Sequence, residues 1–146
     1  MNRKDFIKGV GFACLGGGLI SLLTDGCASS VYFARFILEG EGISLPKSEF
    51  TVIGKGRTKQ RKFVLVKSEK YPFPIYVFKH NEEKYSALLL ECTHKGCELV
   101  PHGEFLTCPC HGSEFTNTGR VQNPPAEQNL QTFNVTIKDE TIFIKL

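Results

Sequence analysis

Two short stretches govern what this chain can become. Residues 92–97 read CTHKGC and residues 108–113 read CPCHGS. Each holds two cysteines and one histidine, so four of the six cysteines crowd into 19 residues. The other two, Cys14 and Cys27, lie near the N-terminus. Cys92-x-His94 and Cys108-x-x-His111 form two matched arms, with thirteen residues between His94 and Cys108. The dipeptide His102-Gly103 is a turn signal, and a turn there brings the arms together. Between Leu90 and Leu130 the chain also carries four prolines and four glycines. A compact domain rarely keeps such a stretch without a reason. A metal centre supplies one, because ligand bonds replace hydrophobic burial as the organiser.

One cysteine and one histidine from each arm make a set of two thiolates and two imidazoles. Zinc accepts such a set in tetrahedral geometry. Zinc fingers with these ligands, however, usually carry both cysteines in one arm and both histidines in the other. The mixed arms suit a [2Fe–2S] cluster in which one iron takes both thiolates and the other both imidazoles. A structural zinc module without redox chemistry is the reading from a different class.

The two motifs resemble the cluster loops of the Rieske iron–sulfur proteins, in the disulfide-containing branch. That branch includes the iron–sulfur subunits of cytochrome bc and b6f complexes and the arsenite oxidase small subunit. The resemblance implies an all-β fold, a Rieske-type antiparallel β-sandwich with a small cluster-binding subdomain of two loops. It implies one Rieske-type [2Fe–2S] cluster per chain. Cys92 and Cys108 would bind the buried iron, and His94 and His111 the outer one. Cys97 and Cys110 would form a disulfide bridging the loops. Both are surplus to the ligand set, and disulfides persist in exported proteins.

The resemblance extends to the surroundings of the cluster. Ser113 matches the serine whose hydroxyl donates to a cluster sulfide. Two residues on, high-potential members usually carry a tyrosine that donates to a ligand cysteine; here the residue is Phe115. One hydrogen bond fewer implies a potential below that of typical quinol-oxidising members. Gly96 and Gly112 allow loop turns or close approach to the cluster. Pro125, in the stretch Asn123-Pro124-Pro125-Ala126-Glu127, resembles the proline-containing loop that covers the cluster from a third side. With two thiolates instead of four, such a cluster starts neutral when oxidised and accepts an electron more readily. Rieske potentials accordingly run from roughly −150 to +300 mV, against about −400 mV for plant-type ferredoxins.

The N-terminus reads as an address. A basic start, MNRKDFIK, precedes the apolar run Gly9–Leu23. At 15 residues the run is short of the roughly 20 that cross a bilayer squarely. Its five glycines argue against a stable core helix. A basic region followed by a short apolar one is the pattern of a secretory signal. NRKDFIKG resembles the twin-arginine export motif, with Arg3-Lys4 in place of two arginines. LLTDGCASS resembles a lipoprotein signal with Gly26 before Cys27. Cys27 is then a lipidated N-terminus, a residue beyond an uncleaved anchor, or an unmodified cysteine. The expected plan is an export signal or membrane or lipid anchor over 1–27, a linker over 28–47 (residues 31–47 reading as linker or a short helix ending at Gly40), and a Rieske domain over 48–146. Within it the cluster-binding part covers about 91–126.

The remainder reads as strands. Phe50–Ile53, Lys62–Lys67, Ile75–Phe78, Tyr85–Leu90, Gln131–Ile137 and Thr141–Ile144 are apolar or alternating runs separated by turn residues. Twelve phenylalanines and no tryptophan suit a β-rich core. The formal charge of +3, without basic runs interleaved with aromatics, gives no sign of a nucleic-acid partner. The expected function is electron transfer in an exported, membrane-associated carrier at the periplasmic face of a bacterial membrane. Its partner would be a redox protein or a membrane oxidoreductase complex. The alternative is a quinol-oxidising subunit of a cytochrome bc-type complex.

Overall fold

A computed structural model of the chain describes residues 31–54 and 56–146. The expected export signal, Cys14 and Cys27 lie outside the described residues. No helix among the described residues is long and apolar enough to cross a membrane.

The chain enters a hairpin of β1 (Ile37–Glu39) and β2 (Gly42–Pro46). A 3-10 turn at Lys47–Phe50 leads into β3 (Thr51–Gly54) and β4 (Arg57–Gln60). Then come β5 (Phe63–Val66), β6 (Ile75–Asn81) and β7 (Lys84–Leu89). The segment with the two arms holds β8 (Val100–Pro101), β9 (Phe105–Thr107), β10 (Glu114–Thr116) and β11 (Val121–Asn123). The hairpin of β12 (Thr132–Lys138) and β13 (Thr141–Lys145) closes the chain. The strands form a seven-stranded sheet in the order β1-β2-β13-β12-β7-β6-β5, a four-stranded sheet β11-β10-β9-β8, and the separate ribbon β3-β4. Every pairing between these strands is antiparallel.

Strands from both halves of the large sheet reach one core, although the edge strand β1 is exposed. Ile43 and Leu45 of β2 meet Val64 and Val66 of β5, Ile75 and Val77 of β6, and Ile142 and Ile144 of β13. A flat sheet could not bring these strands together, so this one is curled upon itself as a sandwich. Strands β5 to β7 bury their other face as well. Leu65, Tyr76, Phe78 and Leu88 lie with Leu99, Leu106, Phe115 and Leu130 beneath the four-stranded sheet. Strands buried on both faces have no solvent side that calls for polar residues. This is why FVLV, IYVF and ALL read as unbroken apolar runs, while TFNVTIK in β12 alternates.

One expectation needs correction. Much of the supposed linker or helix is β1 and β2, joined by the two-residue loop Gly40–Glu41 with Gly40 at φ +57. β13 pairs with β2 from Pro46 to Gly42, and this edge-to-edge pairing outranks the local pattern. The two expected loops of the cluster segment are carried on four short strands. None exceeds three residues, too few for a periodicity to show.

Candidate metal centre

The two arms are local copies of one structure. Each is a six-residue loop closed by an antiparallel pair: Glu91 opposite Glu98 for the first, Thr107 opposite Glu114 for the second. In the first, Cys92 N–H donates to Cys97 O at 2.8 Å and Gly96 N–H to Cys92 O at 2.8 Å. In the second, Cys108 N–H donates to Ser113 O at 2.8 Å and Gly112 N–H to Cys108 O at 2.9 Å. The fifth position is glycine in both, at φ +73 and +79, a conformation that L side chains rarely adopt. The expected turn lies between the arms: His102 N–H donates to Phe105 O at 2.9 Å, and β8 pairs with β9.

This pairing draws the six side chains together. Cys92 and Cys108 are unbridged and each is 1% exposed, within the apolar layer that includes Leu106, Phe115, Ala126 and Leu130. Burial pushes the Cys92 thiol up, offset in part by the His94 and Lys95 amides and raised further by the adjacent Cys108 thiol. A thiolate there is poorly hydrated and calls for a cation. The His94 and His111 rings meet edge to face, centroids 4.9 Å apart. His94 Nδ1 is buried with no hydrogen-bond partner among the described residues. His111 is exposed. Cys97 and Cys110 form a disulfide, Cα atoms 6.6 Å apart, that joins the first loop to the second. Its two sulfurs lie within 4.8 Å of Cys108 Sγ. Oxidised sulfurs are not thiolate ligands, so that close group is a disulfide clasp beside the free Cys108 thiol and not a metal site of its own.

A third segment touches the loops. Ser113 is fully buried, and its Oγ accepts Ala126 N–H at 3.0 Å. That bond occupies the oxygen and leaves the hydroxyl hydrogen available to donate. Pro124 and Pro125, on this segment, are exposed. Thr93 Oγ1 donates to Gln128 O at 2.6 Å and ties the first loop to the same segment. Neither contact was legible beforehand, because the partners are 13 and 35 residues apart. Also unforeseen is the buried link at Asn117. Tyr76 OH donates to its Oδ1 at 2.8 Å, and its Nδ2 donates to Gly103 O at 3.3 Å. Ser86 Oγ donates to Asn117 O at 2.5 Å. Strands of the large sheet are thereby fastened to the cluster-binding sheet.

Comparison with known proteins bears on this geometry. The model of the Rieske [2Fe-2S] domain family matches residues 47–134, more than half of the chain. The chain belongs to the Rieske family. Among curated Rieske relatives, the cytochrome b6-f complex iron-sulfur subunit of Prochlorococcus marinus (strain MIT 9303) is 38% identical over 56 residues, 36% of this chain and 31% of that one. The corresponding subunit of Synechococcus sp. (strain CC9605) is 34% identical over 77 residues, 49% and 42% of the two chains. The match thus spans less than half the length of these curated relatives. Among solved structures, the cyanobacterial plasma membrane Rieske protein PetC3 from Synechocystis PCC 6803 aligns with TM-score 0.52 and 31% identity. That alignment covers 58% of this chain and 87% of PetC3.

A Rieske domain binds a [2Fe–2S] cluster, and the residues present fit one. Two buried unbridged thiols lie beside two facing imidazoles, one with an orphaned ring nitrogen. Both donor types that the cluster needs are therefore in place, and family membership displaces the structural zinc reading. The all-β antiparallel fold and the Cys97–Cys110 disulfide agree with what the resemblance implied.

Proposed function

We propose that this Rieske protein is an exported, membrane-associated electron carrier, with Cys92 and Cys108 on the inner iron and His94 and His111 on the outer one. The observation that carries the reading is the pair of buried free thiols beside the facing imidazoles, under a disulfide clasp. When bound, the cluster supplies reversible one-electron chemistry. The chain's own residues do the rest. Leu106, Phe115, Ala126 and Leu130 exclude water from the thiolate side. The amides of His94 and Lys95 direct N–H groups at Cys92 sulfur. The Ser113 hydroxyl hydrogen is free to donate towards added negative charge, which favours the reduced state. Phe115 offers no such donor, which supports a potential below the quinol-oxidising range. Exposed His111 and half-buried His94 present the outer edge of the site to a partner. The basic and apolar start of the chain supports export, with Cys27 as the lipidation candidate.

The test is metal content and the EPR spectrum of the purified protein after reduction. We expect two irons and two sulfides per chain, and loss of the signal in Cys92→Ser. Equimolar zinc with no iron–sulfur signal would overturn the reading. Mass spectrometry of the mature N-terminus decides between lipidated, uncleaved and unmodified Cys27. A second reading, a quinol-oxidising subunit, is favoured by the names of the curated relatives. Direct reduction of the holo-protein by a quinol would support it.

A further inference from the structure

The most basic stretch of the chain takes no part in the metal centre. Residues 51–62, TVIGKGRTKQRK, carry five basic residues and no acidic one. The whole chain has a formal charge of only +3, so the remainder is net negative. Its first ten residues form the β3–β4 ribbon, a sheet of its own, and Arg61 and Lys62 follow directly. Arg57 and Lys59 are exposed, and neither forms an ion pair among the described residues. Near the tip, opposite Thr58, Ile53 is 89% exposed. By this register Ile53 stands on one face of the ribbon with Thr58, and Arg57 and Lys59 on the other. A ribbon that meets a surface tip first presents both faces at one depth, which matches the layered chemistry of an anionic bilayer. Cations meet the headgroups while the alkyl group enters the boundary with the acyl chains.

The place of the ribbon favours a bilayer over an acidic protein. Its root is where the chain enters the described unit. Tyr32 OH donates to Glu49 Oε2 at 2.8 Å, and the Arg61 guanidinium lies 3.7 Å from the centre of the Tyr32 ring. Arg61 also donates to the carbonyls of Glu49 and Thr51, at 3.1 and 3.3 Å. Val31 and Phe33, on either side of Tyr32, are each 50% exposed. By sequence, residues 24–30 alone separate the apolar run Gly9–Leu23 from Val31. Seven residues span at most about 25 Å. A bilayer holding the apolar run therefore lies within reach of the ribbon. An acidic protein would satisfy the cations but has no reason to sit where the chain leads to its apolar segment.

We propose that the β3–β4 ribbon docks on anionic phospholipid, with Ile53 at the headgroup–acyl boundary and Arg57 and Lys59 against the headgroups. The proposal rests on the membrane-association part of the proposed function, and the test separates the two. The chain has no tryptophan, so Ile53→Trp introduces a single fluorophore at an exposed position. Full-length holo-protein is mixed with vesicles of phosphatidylcholine alone, or of phosphatidylcholine with phosphatidylglycerol. Flotation is scored together with emission. We expect blue-shifted emission and loss of acrylamide quenching on the anionic vesicles only. Both effects should vanish in Arg57→Glu/Lys59→Glu and at high salt. Flotation on both vesicle types with water-like emission throughout overturns docking and leaves the anchor standing, the basic face then belonging to an acidic protein. Flotation on anionic vesicles alone, with the blue shift, supports docking and overturns the anchor. A protein that never floats overturns both. A blue shift that survives charge reversal overturns the docking, because the introduced side chain alone would then be driving insertion.

Discussion

Ser113 and Phe115 stand two residues apart, both fully buried, and differ in what they offer a neighbour: a hydroxyl against a bare ring. Ser113 has its oxygen engaged by Ala126 N–H and its hydrogen to spare. Phe115 fills its site with a ring that donates nothing. A hydrogen bond of about 1 kcal/mol that favours one redox state moves a one-electron potential by roughly 40 mV. Ser113→Ala should lower the midpoint potential by tens of millivolts, and Phe115→Tyr should raise it; redox titration followed by EPR measures both. Gly112 gives a backbone test. A Cβ there meets nothing within 4 Å, so the cost of Gly112→Ala comes from φ +79 alone, about 1–2 kcal/mol. Asn tolerates that region better. Heat should therefore bleach the cluster absorbance at a lower temperature in Gly112→Ala than in Gly112→Asn, and at the highest temperature in the wild type. At this scale much was legible in the sequence, because residue type and spacing specify donors. The orphaned Nδ1 of His94 and the Ala126 contact were not, because they depend on neighbours far along the chain.

The elements that matter most to the site are the two six-residue loops. Each holds its own internal hydrogen bonds, so each is shaped locally, and the disulfide cross-links one directly to the other. Removing a native disulfide commonly costs about 2–4 kcal/mol. Cys97→Ser/Cys110→Ser should therefore lose the cluster several times faster to an iron chelator, with the EPR line shape first retained. An unchanged rate would show that the strands alone hold the loops at cluster spacing. The loops were legible because each motif pairs cysteines with a histidine at short spacing, with a turn signal between the two. The strands β8 to β11 were not, because two or three residues have no readable period and owe their geometry to pairing. The β1–β2 hairpin was misread for a related reason. Its exposed Ile37 and Leu38 do not alternate with polar residues, and the edge of β13 organises the hairpin from outside.

For the whole molecule, the curled seven-stranded sheet and the cluster-binding sheet share β5 to β7 as a common wall. The core of the large sheet contains no candidate ligand, whereas Cys92 and Cys108 belong to the second apolar layer. Removal of iron should accordingly loosen residues 91–126 while β12 and β13 persist. Hydrogen exchange of the apo- and holo-proteins checks this; uniform loss of protection would mean that the two layers unfold as one. The Asn117 link is the main polar tie between them. Tyr76→Phe leaves Asn117 Oδ1 without its buried donor and should cost about 1–3 kcal/mol of stability, read from denaturant midpoints.

By itself the sequence narrowed the chemistry. Candidate thiols and imidazoles, one of each in each of two arms, suit an iron–sulfur cluster better than a zinc finger. Unbroken apolar runs mark the strands that have no solvent face. These features are set by residue type and by spacings of a few positions, which no distant contact can alter. Only the tertiary structure decided which edges pair, where the third segment meets Ser113, and that the basic ribbon stands at the point of chain entry. Those outcomes depend on contacts between residues far apart in the chain, such as Tyr32 with Arg61 and Tyr76 with Asn117. A contact of that kind acquires its energy only when the rest of the fold has brought both partners to one place.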